Sequence, residues 1–257
     1  MTISSNRVAV VTGGATGIGL AIARRLLRDG ASVAITGRDL PRLERAAREV
    51  GARAYQLDIR DERSCHEVMA RIARELGPIR TFVANAGVGG ENHPGPSDRW
   101  REVVSTNLDG TYYSLRAAIA HLAPGPKKCD LLVVSSVLGK FGVPGYTAYC
   151  ASKSGLIGLV RALSLEMAFD PARRHVMVNA LCPGWVETEM AIQGLTAFAQ
   201  KAGQTLEQAR ADAMARVPLG RMSAPDEIAA YVAWHTSEEC VGVTGQSLNI
   251  NQGSFME

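Results

Sequence analysis

Arg7-Val-Ala-Val-Val-Thr12-Gly-Gly-Ala-Thr-Gly-Ile-Gly19 decides how this chain is read. A β-branched run enters a glycine-rich turn, and a helical pattern opens near Ile18 and continues to Arg28. Glycines in such a turn carry meaning when a strand precedes them and a helix follows. Gly13 permits the tight turn. Gly17 and Gly19 let the backbone approach a pyrophosphate at the helix N-terminus, where unpaired N–H groups and the helix dipole favour an anion. Taken alone, the pattern also fits a plain strand-to-helix turn. It is not a Walker loop, because no Lys-Ser/Thr follows.

Outward from this turn, short apolar runs alternate with helical patterns. Strands are predicted over 7–12, 31–36, 52–57, 80–84, 131–135, 175–181 and 247–250. Helices are predicted over 18–28, 40–50, 61–76, 98–122, 149–169, 195–217 and 225–236, with Ser223 as a candidate N-cap for the last. Residues 88–97 read as a Gly/Pro-rich loop. The alternation implies right-handed crossovers and a parallel sheet covered on both faces, the α/β class. No linker or repeat interrupts it, so 1–257 reads as a single domain.

The bulk composition excludes several classes. With 257 residues, 46% hydrophobic and 21% charged, the chain suits one large core. A net charge of +3 with interspersed signs gives no argument for nucleic acid; Arg24, Arg25 and Arg28 read as one solvated helix face. Cys65, Cys129, Cys150, Cys182 and Cys240 show no CxxC and no paired histidine spacing, which argues against a metal site or disulfide framework and for reduced thiols. The polar start of the chain, residues 1–7, lacks the apolar core of a signal peptide, and no apolar run is long enough for a bilayer. A cytoplasmic protein is the expectation.

Chemistry concentrates at the predicted strand ends, where open parallel sheets bind ligands. The second strand ends Thr36-Gly37-Arg38 without the carboxylate that binds the ribose hydroxyls of NAD. Arg38 suits a 2′-phosphate instead, unless it is a surface arginine partly neutralised by Asp39. Asp58-Ile59 can accept from an adenine amino group, and Asn85-Ala86-Gly87 can bracket a nucleoside, although either alone is more often a turn. Asn107 in mid-helix is either a satisfied core polar group or the holder of a water near Lys153. Tyr149-Cys-Ala-Ser-Lys153 places phenol and ammonium on one helix face, thirteen residues or more beyond Ser136. A nearby ammonium lowers a phenol pKa, and a serine hydroxyl can hold a carbonyl oxygen. Tyr146 has no such lysine. The histidines lack catalytic spacing, and no Gly-x-Ser-x-Gly elbow supports a hydrolase.

As a set, Thr12-Gly-x-x-x-Gly-x-Gly19, Asn85-Ala-Gly87, Asn107, Ser136, Tyr149, Lys153 and Pro183-Gly184 resemble the short-chain dehydrogenase/reductase family, over 7–253. The resemblance implies a Rossmann-like, doubly wound, seven-stranded parallel sheet with helices on both faces, a nicotinamide cofactor and a homotetramer. It implies Tyr149 as acid/base, Ser136 as carbonyl anchor, Lys153 on the nicotinamide ribose and Asn107 supporting the proton relay. It also implies cofactor contacts from Gly13, Thr16, Gly17, Ile18, Gly19, Arg38, Asp58, Ile59, Asn85, Ala86, Gly87, Pro183, Gly184, Val186 and Thr188. The stretches 218–221, 245–246 and 251–253 look most like β-ketoacyl reductases and aromatic polyketide ketoreductases, and bacterial 3-hydroxyacid dehydrogenases are similar too. Two positions depart from the pattern. Ala84 replaces an asparagine, and Gln252 precedes Gly253 in place of a second glycine.

The substrate is expected against 88–97, 138–146 and a lid region of about 187–216. Val88, Leu138, Phe141, Val143, Trp185, Met190, Leu195 and Phe198 suggest a partly apolar ketone, free or as an acyl thioester, unless the lid helix packs on its own apolar stripe. Arg99, Arg101, Arg173 and Arg174 are candidates for a carrier-protein entrance. NADP(H)-dependent reduction of a β-ketoacyl or polyketide substrate is the leading reading. An NAD(H)-dependent dehydrogenase of a small hydroxy acid or cyclic alcohol, and a non-catalytic nucleotide-binding module, are the alternatives. Helices 98–122 and 149–169 carry apolar residues beyond one stripe, such as Leu156, Leu159 and Leu163 beside Ile157 and Val160, which predicts subunit contacts.

Overall fold

All five residues of β1 (Val8–Thr12) are buried, and successive side chains enter opposite cores: Val8 and Val10 one, Ala9 and Val11 the other. In the computed structural model, which describes residues 7–256, β1 is an inner strand of a seven-stranded sheet, next to the central strand. Residues 1–6, to which most of the signal-peptide reading refers, lie outside the described residues. The other strands are β2 (Ser32–Gly37), β3 (Arg53–Gln56), β4 (Ile79–Ala84), β5 (Cys129–Val134), β6 (Val176–Pro183) and β7 (Ser247–Ile250). Their order is β3-β2-β1-β4-β5-β6-β7, every pairing parallel. The order reverses between β1 and β4, which opens a crevice at the C-terminal strand ends.

Helix α1 (Gly17–Arg28), α2 (Leu40–Val50) and the late helix over 225–235 cover one face with Ile22, Leu26, Leu43 and Val232. On the other face, α3 (Glu62–Leu76) and two further helices bury Met69, Ile72, Leu115, Leu156 and Val160. Local chemistry sets the boundaries. Asp39 caps α2 by accepting from Arg42 N at 3.0 Å, and Asp61 caps α3 by accepting from Ser64 N at 3.1 Å.

Three helical expectations change. The helix expected over 98–122 is three pieces: α4 (Trp100–Val104), a π turn (Ser105–Asp109) containing Asn107, and α5 (Gly110–Ile119). Such π turns occur often at functional sites. The helix expected over 195–217 is α7 (Glu189–Ala202) and α8 (Leu206–Met214). Gly203 ends α7 in the left-handed region, and Thr205 and Gln208 start α8 with a reciprocal capping box. Ser223 does not cap α9 (Pro225–His235): the Glu227 carboxylate accepts from Ala224 N instead, and Ser223 Oγ accepts from Gln252 Nε2. Helix α6 (Thr147–Phe169) agrees with expectation. No helix among the described residues is long and apolar enough to cross a membrane.

At the opposite end of the sheet from the crevice, α9 is tied down by buried charge. Arg7 bonds Asp130, Thr81 and the Thr236 carbonyl, and Lys128 Nζ donates to the carbonyls of His235 and Cys240, each at 2.7 Å. Both cations thus sit at carbonyls of the α9 C-terminus and beyond it, which its dipole favours. Lys128 also lies 3.1 Å from Asp130. Burial pushes the His235 imidazole down to about 4, so it stays neutral. Asp130→Ala leaves two buried cations without their carboxylate and is expected to cost about 3–5 kcal/mol in urea unfolding. A loss below about 1 kcal/mol, the scale of an exposed pair, would show that water screens this cluster.

Candidate active site

The crevice collects residues from distant parts of the chain. Thr12 Oγ, at the end of β1, accepts from the backbone N–H groups of Asn85 and Ala86, both at 3.0 Å. Asn85 Nδ2 donates back to the Thr12 and Gly13 carbonyls. The segment Asn85-Ala86-Gly87 after β4 is thereby locked to the glycine loop. Asn85 spends its amide on this bracing rather than on the crevice. Gly19 is needed here: a Cβ on it would lie 2.4 Å from the Gly13 carbonyl oxygen and 2.5 Å from Asn85 Nδ2.

Thr16 opens α1 without a side-chain cap, and no acidic residue stands in the first turn. The N–H groups of Gly17, Ile18 and Gly19 therefore end a helix that carries no competing carboxylate, which suits a pyrophosphate. Gly17, at φ +52°, faces Thr188 Cγ2, which a Cβ would approach to 3.1 Å. Thr188 caps α7, accepting from Ala191 N, and its hydroxyl donates to the Val186 carbonyl. Pro183 ends β6; Gly184 packs on Asn251, and Val186 is buried.

Arg38 lines a cavity of about 520 Å³ with Gln56, Leu57, Asp58, Ser64, Glu67 and Val68. Its guanidinium forms no ion pair among the described residues, since Asp39 is turned into α2 as its cap. Asp58 lines the same cavity, and Arg60 holds its carboxylate with bonds of 2.5–3.1 Å and keeps it below the usual carboxylate range. The Ile59 side chain is buried in the core, against Gly110. A second basic group that sequence reading missed, Arg42, reaches across to Glu189 at the start of α7 at 2.6 Å.

On the other side of the crevice, Ser136, Tyr149 and Lys153 come together from the end of β5 and the first turns of α6. Ser136 Oγ accepts from Leu138 N at 3.1 Å, so its own hydrogen remains available to donate. It also bonds the Tyr149 hydroxyl, which works against the effect of burial. Lys153 Nζ lies 5.6 Å from the Tyr149 ring centroid and donates to the Val134 carbonyl at 2.8 Å. Lys153 is only 4% exposed, and burial lowers it to about 8. The phenol departs from expectation in the opposite sense: burial pushes Tyr149 up to about 12. Desolvation opposes the charged form of both groups and, for Tyr149, outweighs the Ser136 hydrogen bond.

Asn107 is a fully buried, satisfied amide. It accepts from Val88 N at 2.8 Å and donates to the Val88 carbonyl and Ser152 Oγ. This fits the core-polar alternative and fixes the residue before Lys153. Gly87 lies under the same groups, and a Cβ there would meet Asn107 Oδ1 at 3.1 Å and Lys153 Nζ at 3.6 Å. The hydrogen-bonding faces of Lys153 and Gly87, the open α1 terminus and Arg38 form one track along the crevice. That donor set fits a nicotinamide dinucleotide phosphate.

The lid residues divide. Leu195 belongs to a small core with Met214, Val217 and Met222, against which Trp185 and Phe198 pack. Phe198 in turn contacts Tyr146, whose ring stands edge-on to Tyr149 at 6.5 Å. Phe141 stacks on Phe255. Gln252, at φ +55°, takes a conformation that favours glycine, and its bond to Ser223 helps hold it there.

Known proteins agree with this architecture. The short chain dehydrogenase family model matches residues 7–197. The chain is 34% identical to a protein assigned as a ketoacyl reductase of the monensin polyketide synthase from Streptomyces virginiae, over 98% of both. It is 32% identical to the 3-oxoacyl-acyl-carrier-protein reductase of Salmonella typhimurium, over 97% of this chain and 98% of that one. A crystal structure of a variant actinorhodin polyketide ketoreductase with NADPH superposes with a TM-score of 0.89 at 32% identity, covering 99% of each chain. A glycine loop braced by Asn85, a serine, tyrosine and lysine at one crevice, and relatives matched end to end lead to one conclusion: the chain belongs to the short chain dehydrogenase family of oxidoreductases.

Proposed function

We propose that this protein reduces a β-ketoacyl or polyketide-type ketone to a secondary alcohol with NADPH. The gathering of Ser136, Tyr149 and Lys153 at the β5–α6 side of the crevice carries this reading, and the ketoreductase relatives support the substrate class. When bound, the cofactor supplies a hydride for the carbonyl carbon. Negative charge then grows on the carbonyl oxygen, and Ser136 meets it by donating its hydroxyl hydrogen. Tyr149 gives up its phenolic proton to that oxygen. A phenol near 12 is fully protonated at neutral pH, the correct state for an acid in the reducing direction. Lys153, about 8, is mostly ammonium at pH 7 and lowers the cost of the phenolate left behind. One of its hydrogens goes to the Val134 carbonyl, and the others would serve the cofactor ribose when it is bound. The alternative of a non-catalytic nucleotide module leaves this half-buried phenol, buried ammonium and serine without a use.

Arg38 sets the cofactor. A guanidinium can hold a 2′-phosphate in a fork, whereas a carboxylate there repels it. NADPH is expected to bind roughly ten- to a hundredfold more tightly than NADH, and Arg38→Asp to reverse the order in fluorescence titration. Equal or tighter NADH binding by the native protein would favour the NAD-dependent dehydrogenase reading. Turnover of a β-ketoacyl thioester panel with NADPH, with product analysis, tests the function itself. Failure on every β-ketoacyl and polyketide-type ketone, with turnover of small hydroxy acids by NAD, would replace it.

We also propose a cytoplasmic homotetramer. The apolar residues that first suggested subunit contacts are absorbed within one chain: Leu156, Ile157, Val160 and Leu163 are buried, and Leu159 packs partly buried against the same core. Tyr112, Leu165 and Phe169, on α5 and α6, stay 43%, 57% and 79% exposed and carry the argument instead. Light scattering is expected to give four chains at micromolar concentration, and Leu165→Glu with Phe169→Glu a smaller particle. A monomer in the native protein would contradict this.

A further inference from the structure

Tyr149 stands in the first turn of α6, yet the residue at the helix N-cap, Tyr146, makes no side-chain cap bond. The cap comes from far away in sequence. Asn92 Oδ1 accepts from Ala148 N at 2.8 Å and from Thr147 Oγ1 at 3.1 Å. Asn92 Nδ2 donates to Asp98 Oδ1 at 3.2 Å, and the same oxygen accepts from Trp100 N at the start of α4. The Asn92 backbone N–H donates to the Gly145 carbonyl at 2.8 Å. Asn92 is 7% exposed. Val88, four residues before Asn92, is tied by Asn107 to Ser152 of α6. The start of the loop expected to face substrate is thus clamped to α6 on both sides of its first turns.

We propose that Asn92 is a positioning residue for the reaction, setting the first turn of α6 and so the place of the Tyr149 hydroxyl relative to Ser136 and the substrate. The inference rests on the reading of Tyr149 as the acid. Asparagine suits the task because one amide both accepts from two helix donors and donates to Asp98. Alanine does neither. Aspartate keeps the acceptor but sets a carboxylate against Asp98. Exchanging both, Asn92→Asp with Asp98→Asn, reverses donor and acceptor and restores the bond, with the new amide nitrogen at position 98 turned to the new carboxylate at position 92 and the amide oxygen kept for Trp100 N.

The experiment measures kcat, ketone KM and NADPH Kd for Asn92→Ala, Asn92→Asp, the double exchange and Tyr149→Phe. Asn92→Ala is expected to lower kcat by about ten- to a hundredfold, the scale of a small misplacement of a reacting group, with NADPH Kd unchanged. Asn92→Asp is expected to fall between, and the double exchange to recover most of its loss. Where Asn92→Ala yields no folded protein, the comparison of Asn92→Asp with the double exchange decides. Native kcat in folded Asn92→Ala, or no recovery in the double exchange, overturns the proposal. An inactive Tyr149→Phe beside a fully active Asn92→Ala refutes the positioning role alone. An active Tyr149→Phe refutes the reading beneath it.

Discussion

Tyr149→Phe lowers kcat by roughly 10²–10⁴-fold while leaving NADPH affinity nearly unchanged. In the proposed reaction only the phenolic oxygen carries the transferred proton, while the ring, edge-on to Tyr146, is expected to stay in place in the variant. Removing the hydroxyl also removes a partner of Ser136, but Ser136 keeps its bond from Leu138 N and its ability to donate. Residual rate in the variant therefore measures what hydride transfer achieves with the serine alone. Tyr146 is the internal control. It is buried, and burial together with the Glu91 carboxylate raises its pKa, but no lysine among the described residues acts on it. Tyr146→Phe is expected to keep most of the activity. Inactivation by Tyr146→Phe with a working Tyr149→Phe would reassign the acid.

Lys153→Met has the second large effect, and its sign differs between activity and stability. Turnover falls at least as far as in Tyr149→Phe, because one change removes both the ammonium that supports the phenolate and a donor to the ribose; cofactor affinity falls as well. Stability rises. Burial lowers the folded-state value from the ordinary 10.5 to about 8, so between those pH values the unfolded chain binds more protons than the folded one. Native stability therefore climbs with pH across that window, and below it the folded state holds a charge that burial disfavours. The variant lacks this penalty and is expected to gain stability on the order of a few kcal/mol at pH 7, and to lose the rise between pH 8 and 10.5. Urea unfolding of both proteins at neutral and alkaline pH checks it. A variant less stable than the native protein at pH 7 would mean that the bond to the Val134 carbonyl outweighs the desolvation.

The parts of the molecule that were legible in the sequence are those written in local patterns. The β1–α1 turn shows its strand, glycines and helix within 7–28, and α2 is bounded by Asp39 and Gly51. The pair Tyr149 and Lys153 is legible because four residues on a helix make one face. Long-range partnerships were not. Asn92 reads as one more polar loop residue, and nothing near it in sequence announces α6, 55 residues on. Arg60 beside Asp58 is local, but only geometry shows the guanidinium folded back on the carboxylate. Burial is likewise invisible in a motif: Tyr149 beside Lys153 suggests a lowered phenol, and enclosure reverses the direction. Asn107 looked out of place in a helix, and the π turn around it, set by tertiary packing, was unreadable.

In the proposed reaction hydride moves from NADPH to a ketone carbon while Tyr149 protonates the oxygen. NADPH carrying deuterium at the transferring position, incubated with the native protein and a β-ketoacyl thioester, tests it most directly, with mass analysis of the product. Deuterium on the carbinol carbon, one per NADPH consumed, with Tyr149→Phe forming almost none of this product, is the predicted result. Consumption of NADPH with no deuterium in the alcohol, or equal labelling by Tyr149→Phe, would contradict the account.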